Sequence, residues 1–237
     1  MRTETAVLPP KSPLPGAKTA GFAPGPLLLV FVGVLLPLLL FGALAEDVWE
    51  KEAFSWDNPT LQWLHAHSSP ALDGLMLKIT LVGGASCLLP LFTLGTLGLW
   101  LRGLRLQALF GVVGVGGACA IDLIAKAIFG RARPALWLSL TPEHDYGFPS
   151  GHSMLSSALV AALLFLLWRS RASLRLQVLG TVAGALFVLL VGASRLYLGV
   201  HYPSDVLAAW AASLAWVSGV HLIVSSRRFR STEFWNK

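Results

Sequence analysis

Six blocks of apolar residues divide this chain, and each has a length suited to crossing a membrane. A hydrocarbon core about 30 Å thick needs about 20 helical residues. Because lipid offers no partner to a polar backbone group, such blocks fold as helices or as a closed barrel, and runs without period-two alternation favour helices. The sequence therefore predicts an all-α integral membrane protein with six transmembrane helices. The blocks lie near residues 27–45, 74–100, 107–129, 151–168, 176–194 and 204–224.

The few charged residues predict how these helices are oriented. Only 13% of the 237 residues are charged, which is about half the share usual in a soluble domain. Arginines occupy the connections 102–105 and 169–175, and further basic residues lie near both ends of the sequence. Positively charged loops stay in the cytoplasm, so we expect both termini there. Topology thus accounts for the net charge of +6, and no nucleic-acid partner is expected.

Composition divides the chain into three parts. Residues 1–25 are rich in Pro, Gly and Ala and lack periodicity, which predicts a disordered cytoplasmic tail. Residues 26–226 are predicted to form the membrane domain, and residues 227–237 a basic cytoplasmic tail. Ala43 and Ala45 would suit a signal peptidase, but the apolar run before them exceeds a signal core. A retained first helix is the favoured prediction.

Ionisable residues interrupt the apolar pattern in three places. They lie at 122–134, where the third block ends, at 149–152, where the fourth begins, and at 194–205, between the fifth and sixth. Charged groups at membrane depth are costly and usually mark function. Two spans separate the first two places from the third, so parity puts all three on one membrane face.

The residue types in these places suit a phosphate. Lys126, Arg133 and Arg195 supply fixed cations that donate hydrogen bonds and accept none. Ser150 and Gly151 lie where a helix is predicted to begin, and free N–H groups and the helix dipole favour an anion there. Gly151 has no Cβ, so an anion can approach its backbone closely.

Two histidines add reactive groups to this set. His152 and His201 are candidates for a proton donor and a nucleophile. Asp205 follows His201 by four residues, a helical spacing at which it would accept the proton of one ring nitrogen. Asp122 has the same spacing to Lys126 and is a candidate to orient it, although such a pair can be purely structural.

The residues in these three places resemble the signature of the type 2 phosphatidic acid phosphatase (PAP2) superfamily. The spacings match it without departure: Lys126 with Arg133-Pro134 after six residues, Pro149-Ser150-Gly151-His152, and Ser194-Arg195 followed after five residues by His201 and after three more by Asp205.

The resemblance implies a helical bundle and a phosphatase that needs no metal or other cofactor. In such a mechanism His201 attacks phosphorus, Asp205 orients it, and His152 protonates the leaving oxygen. Five of the other matching residues, Lys126, Arg133, Ser150, Gly151 and Arg195, would hold the phosphoryl oxygens. The bacterial branch implies a multi-pass protein of the inner membrane with its site facing the periplasm or cell exterior. The expected substrate is a lipid phosphate: undecaprenyl diphosphate first, then phosphatidylglycerophosphate or phosphatidic acid.

Other functions remain open at this stage. The attack of His201 on phosphorus would give a phosphohistidine, and a lipid phosphotransferase would pass its phosphate to another lipid. A metal-dependent phosphatase would need a metal ion. A non-catalytic membrane protein would only bind the anion. His65, His67 and the run Glu143-His144-Asp145 are metal-ligand types, but solvated loop residues are favoured. Arg131 is expected to be an outer-loop cation, with a contact to lipid headgroups as the alternative. The segment 46–70 contains a short amphipathic stretch that suits the membrane interface, and no protein partner is indicated.

Overall fold

The computed structural model describes residues 24–225, which are helical and contain no strand. The predicted tail 1–25, apart from its last two residues, and the predicted tail 227–237 lie outside the described residues. The α-helices are α1 (Pro24–Val30), α2 (Leu36–Trp49), α3 (Asp57–Ala66), α4 (Pro70–Val82), α5 (Ala85–Leu101), α6 (Arg105–Gly111), α7 (Gly117–Phe129), α8 (Gly151–Arg169), α9 (Leu174–Tyr197) and α10 (Pro203–Ser225). Two π-helical turns, Phe31–Leu35 and Val112–Gly116, join α1 to α2 and α6 to α7.

The predicted number of spans is confirmed. Several spans extend beyond the apolar blocks because helical structure continues into residues such as Glu46 and Asp47, which hydropathy alone assigns to a loop. The six helical segments long and apolar enough to cross a membrane are Leu27–Trp49, Pro70–Leu101, Arg105–Phe129, Gly151–Arg169, Leu174–Tyr197 and Pro203–Ser225.

The second span is broken at a pair of glycines, which hydropathy does not predict. The helix α4 ends before Gly83, and Gly84 has an extended backbone with ψ 164° from which α5 starts. A Cβ on Gly84 would lie 3.1 Å from Nε2 of His152. The break therefore brings the first turn of α5 against the first turn of α8.

Small residues let the central helices approach closely. The helix α10 packs against α8 and α2, and α8 packs against α9. Ala158 of α8 and Ala209 of α10 are fully buried in the main hydrophobic core. On the other face of α8, a Cβ on Gly180 or Gly184 would collide with side chains of α8. This glycine pair packs within the chain, the arrangement favoured for such spacing.

The amphipathic stretch in 46–70 is a helix, α3, that lies over the end of the bundle. Its Asp57 and Leu61 are buried, whereas Trp63 is 61% exposed. The long connection 130–150 begins at Gly130, whose positive φ of 56° suits glycine at a helix end. Near its other end lies Phe148, which is fully buried between Phe41 and Phe129. Both segments are thus held against the end where the predicted site residues lie.

Candidate functional site

One end of the helix bundle collects the polar residues that the sequence singles out. Lys126 lies in the last turn of α7, and Arg195 lies in the last turn of α9. His152 lies in the first turn of α8. Arg133 and His201 lie in the connections that follow α7 and α9. Helix ends therefore position most of these side chains.

His201 is fully buried, and its two ring nitrogens have different partners. Nδ1 lies 2.8 Å from the carbonyl oxygen of Gly147, and Nε2 lies 2.9 Å from Nη1 of Arg133. A carbonyl only accepts and a guanidinium only donates, so we assign the proton to Nδ1 and the lone pair to Nε2. Burial, with the charges of Arg133 and Arg195, holds the pKa of His201 well below its usual value. Nε2 thus carries the lone pair that a nucleophile needs, and in the free chain this lone pair accepts the hydrogen bond of Arg133.

Asp205 does not accept the imidazole proton directly, contrary to the prediction. Its Oδ2 lies 3.6 Å from Nδ1 of His201 and accepts a 2.8 Å hydrogen bond from the backbone N–H of Tyr202. The helix α10 begins only at Pro203, so His201 lies before it and the four-residue spacing is not that of a regular helix. The carbonyl of Gly147 takes the place that was predicted for the carboxylate.

Arg131 lies in the connection 130–150, as expected of a loop cation, but its side chain is only 15% exposed and joins a polar network that the sequence did not predict. Its Nη1 donates to Oδ1 of Asp205 at 2.5 Å and to Oγ of Ser204 at 2.7 Å, and its Nη2 donates to Oδ2 of Asp57 at 2.9 Å. Asp57 also accepts hydrogen bonds from the backbone N–H and the hydroxyl of Ser204. This network ties α3 and the connection 130–150 to the start of α10.

Two carboxylates occupy the space among the predicted phosphate-binding cations. Glu143 forms ion pairs with Arg195 and, at 2.7 Å, with Arg133. Asp145 lies 2.7 Å from Nζ of Lys126 and 2.5 Å from Nη2 of Arg133. The expectation of solvated loop residues is therefore wrong for Glu143, whose side chain is 24% exposed, whereas the side chain of Asp145 stays 56% exposed. Oε2 of Glu143 also lies 3.9 Å from Nε2 of His201, so a carboxylate is adjacent to the candidate nucleophile.

The pKa values of both carboxyl groups reflect these cations. Burial alone would raise the pKa of Asp145, but hydrogen bonds from Lys126 and Arg133 outweigh it and lower the pKa to about 2. Burial likewise opposes ionisation of Glu143, and the charges of Arg195 and Arg133 hold its pKa below the usual value. Both groups are therefore anions at neutral pH.

The sequence did not identify these two carboxylates as part of the site. The only signal was an acidic pair in a connection whose flanking residues match a phosphate-binding motif. Neither candidate metal set forms a cluster, since no group of three His, Cys, Asp or Glu side chains suited to a metal occurs within residues 24–225. His65 stacks on Trp137 instead, and His67 contacts the carbonyl of Trp63.

Lys126 is oriented by residues other than the one predicted. Its Nζ donates to Asp145 and, at 3.0 Å, to the carbonyl oxygen of Tyr146, and no hydrogen bond joins it to Asp122. Oδ1 of Asp122 is buried without a hydrogen-bond partner among the described residues. Asp122 instead lies against the start of α8, where a Cβ on Gly151 would be 3.1 Å from its Oδ2.

Ser150 is fully buried, and its hydroxyl donates to Oγ of Ser153 at 3.0 Å. Its backbone N–H donates to the carbonyl oxygen of Asp205, which ties the start of α8 to α10. The first N–H groups of a helix have no partner within the helix. At this site the start of α8 can therefore offer backbone donors, although the Ser150 side chain is directed elsewhere.

A cavity of about 400 Å³ adjoins the cations and runs toward the apolar part of the bundle. Its polar end is bordered by Lys126, Glu143, Asp145 and His152, whereas the fully buried His201 is not part of its lining. Its other end is apolar, and it is lined there by Ala85, Leu89, Cys119, Leu123 and Leu155. The cavity can therefore hold a charged group beside an apolar chain.

Sequence comparison finds relatives among membrane phosphatases. Phosphatidylglycerophosphatase B of Bacillus subtilis is 31% identical over 147 residues, which cover 61% of this chain and 71% of that protein. Undecaprenyl-diphosphatase of Sulfolobus acidocaldarius is 28% identical over 118 residues, or 46% of this chain and 50% of that protein. Lipid A 1-phosphatase of Rhizobium johnstonii is 36% identical over 134 residues, or 50% and 47%. The chain thus matches only about half the length of the last two.

Solved structures show the same architecture. The transmembrane PAP2-type phosphatidylglycerolphosphate phosphatase from Bacillus subtilis superposes with a TM-score of 0.68 at 25% identity, covering 86% of this chain and 99% of that one. LpxE of Aquifex aeolicus gives a TM-score of 0.57 at 20% identity over 71% and 96% of the two chains, which supports the fold alone.

The family of the chain is identified by a match over the region that contains the site. Residues 106–229, more than half of the chain, match the sequence model of the PAP2 superfamily. This region contains the cations, both histidines and Asp205. The resemblance drawn from the three motifs is thereby confirmed: the chain belongs to the PAP2 superfamily and is a membrane-embedded phosphoric ester hydrolase of that family.

Proposed function

We propose that this chain hydrolyses lipid phosphates at the outer face of a bacterial cell membrane through a phosphohistidine on His201. The observation that carries the proposal is the position of Nε2 of His201, to which we assign the lone pair. It lies 2.9 Å from Nη1 of Arg133 and 3.9 Å from a carboxylate oxygen of Glu143. A phosphoryl group in the place of that carboxylate would meet the nucleophile and the arginines together. The named activities of the relatives are all on lipid phosphates, which supports the class of substrate.

The reaction takes two steps. First, Nε2 of His201 attacks phosphorus, the phosphorus–oxygen ester bond breaks, and His152, which enters the step protonated, gives its proton to the leaving oxygen. Then His152 takes a proton from water, the water oxygen bonds to phosphorus, and the phosphorus–nitrogen bond breaks to release inorganic phosphate. Lys126, Arg133 and Arg195 stabilise the charge on the phosphoryl oxygens in both steps. Gly151 and its neighbours add backbone donors.

Asp205 supports this reaction through two contacts. It accepts the hydrogen bond of Tyr202, next to His201, and it pairs with Arg131. The carbonyl of Gly147 holds the proton of Nδ1 and so keeps the lone pair on Nε2. We therefore assign Asp205 to the positioning and electrostatic support of His201.

The first experiment measures phosphate release and the covalent intermediate. Purified protein in detergent is expected to release inorganic phosphate from phosphatidic acid, phosphatidylglycerophosphate or undecaprenyl diphosphate, and His201→Ala to lose about a thousandfold or more of that activity. Rapid quenching with labelled substrate should place the label on His201. Full activity in His201→Ala would exclude the mechanism. Label recovered mainly on a second lipid would indicate a phosphotransferase, and binding without turnover a non-catalytic anion site.

The pH profile tests the state of His201. The pKa of His201 lies below the usual value of about 6.5, so Nε2 stays unprotonated at neutral pH. The unprotonated form is lost only as the pH falls through the lowered pKa. We expect the acid limb of kcat/KM to lie below pH 6.5. Glu143 raises the pKa of His201, so Glu143→Gln should shift that limb to lower pH, while a limb due to substrate ionisation stays in place. If the acid limb that shifts in Glu143→Gln lies at or above pH 7, the assignment of an unprotonated Nε2 is contradicted.

Glu143→Gln also tests whether the carboxylate competes with phosphate. The substitution removes a charge that pairs with Arg195 and Arg133. We expect inorganic phosphate or vanadate to bind roughly tenfold more tightly, which corresponds to about 1.4 kcal/mol. The matched control is Glu50→Gln, at an exposed position beyond the first span, for which no change is expected. Weaker binding in Glu143→Gln would instead make Glu143 part of the productive site.

The proposed orientation of the chain in the membrane rests on the arginines in 102–105 and 169–175, which lie on the membrane side opposite the site. Labelling of intact cells with a membrane-impermeant maleimide tests it. We expect Leu138→Cys, in the site-side connection where Leu138 is 93% exposed, to react. Arg171→Cys, at an exposed position on the opposite side, should react only after the cells are permeabilised. The unsubstituted protein measures the background from Cys87 and Cys119. The reverse pattern would place the site in the cytoplasm.

A further inference from the structure

Asp122 is the one acidic residue in the wall of the substrate-sized cavity that pairs with no cation. It lies one turn before Lys126 on α7 and borders the cavity together with His152, Gly151 and Lys126. Its Oδ1 is buried and accepts no hydrogen bond from the described residues. Nζ of Lys126 is directed instead to Asp145 and Tyr146. Oδ1 is closed off from the cavity, but Asp122 is only partly buried, and its other oxygen, Oδ2, also receives no hydrogen bond from the described residues. Oδ2 is therefore the acceptor that the cavity wall leaves free.

An arrangement of this kind opposes folding. A buried carboxylate without a donor keeps its desolvation penalty, because no hydrogen bond replaces the lost water. Asp122 also restricts its neighbour, since any Cβ at position 151 would lie 3.1 Å from its Oδ2. Ionisable residues within a membrane span usually mark function. The unbonded Oδ2 of Asp122, in a residue that borders the cavity, thus points to a donor that the ligand brings.

The geometry of the reaction indicates which part of the ligand meets Asp122. In an in-line displacement the leaving oxygen departs on the side opposite the nucleophile. His201 is not part of the cavity lining, whereas His152, the proposed proton donor to the leaving oxygen, is. The cavity is therefore on the leaving-group side. Beyond the scissile oxygen, the leaving group would extend past Lys126 and Asp122 toward the apolar residues.

We propose that Asp122 is a specificity-determining residue that reads the leaving group, an inference that rests on the proposed function. Its carboxylate accepts a hydrogen bond from a hydroxyl on the leaving alcohol, next to the scissile ester. The preferred substrate is a lipid phosphate monoester with a polyol headgroup, such as a glycerol phosphate. A diphosphate would instead bring a second phosphate, which has no proton to donate to Asp122 when ionised and repels it.

Three lipids differ in the group that lies next to the scissile ester, and we expect them to react at different rates. Phosphatidylglycerophosphate has a hydroxyl on the carbon beside the ester carbon, phosphatidic acid has none, and undecaprenyl diphosphate has a second phosphate. Their values of kcat/KM should decrease in that order in the unsubstituted protein. Undecaprenyl diphosphate, the first expectation from the sequence, is thereby placed last.

The test compares kcat/KM for the three lipids in Asp122→Asn and Asp122→Ala. A hydrogen bond to a charged acceptor contributes about 1.5–3 kcal/mol, so the ratio of phosphatidylglycerophosphate to phosphatidic acid should fall about tenfold or more in Asp122→Ala. Asp122→Asn keeps a carbonyl acceptor without the charge and should give a smaller fall. In both variants the ratio of undecaprenyl diphosphate to phosphatidic acid should rise.

Asp73→Asn is the matched control, because Asp73 is a carboxylate of the second span whose donor is Tyr197. Its three values of kcat/KM should keep the ratios of the unsubstituted protein. Unchanged ratios in both Asp122 variants, or an equal loss on all three lipids including total inactivity, would overturn the proposal. The proposed function fails separately, if the unsubstituted protein releases no more phosphate than His201→Ala from any of them.

Discussion

Three cations, Lys126, Arg133 and Arg195, meet at the end of an apolar bundle with side chains that are at most 10% exposed. Taking such charges out of water costs several kcal/mol each unless they are paired. In the free chain, Glu143 and Asp145 supply the opposite charge. Because these carboxylates belong to the connection 130–150, charge balance also fixes that connection over the site. The cations thus shape the site before any substrate is present.

A second set of charges positions His201, the proposed nucleophile. Arg131 pairs with Asp57 and Asp205, and Asp57 accepts the N–H and hydroxyl of Ser204 at the start of α10. The network joins α3 to the loop that carries His201. It leaves the second oxygen of Asp205 for the backbone of Tyr202. The orientation of His201 therefore depends on contacts from four separate segments of the chain.

Sequence reasoning predicted the parts of the structure that depend on composition or on fixed spacing. Span number follows from apolar length, and the gathering of Lys126, Arg133 and Arg195 follows from motif spacing and parity. The break at Gly83–Gly84 was missed because hydropathy does not register backbone conformation. The contact of Asp205 with His201 was misjudged because the spacing was taken as helical, whereas α10 starts two residues after His201.

Apart from Arg133, which the motif identifies, the roles of the charged residues in 130–150 could not be predicted, for a different reason. That connection has no periodicity, so the sequence does not indicate which of its side chains turn inward. Arg131 and Arg133 are two residues apart, yet one pairs around Asp205 and the other lies beside Nε2 of His201. Only the three-dimensional path of the chain separates these two roles.

Substrate binding in the proposed mechanism is an exchange of anions. A phosphate dianion carries about the charge of the two carboxylates that it would displace, so the cations stay balanced and net electrostatic gain is small. Preference for a substrate must then come from what the carboxylates cannot offer: backbone donors at the start of α8, an apolar chain in the cavity, and a leaving group matched to Asp122. The same exchange assists release, because Glu143 and Asp145 can return to the cations as inorganic phosphate leaves. An enzyme built this way gains turnover by holding its product no more tightly than its own carboxylates.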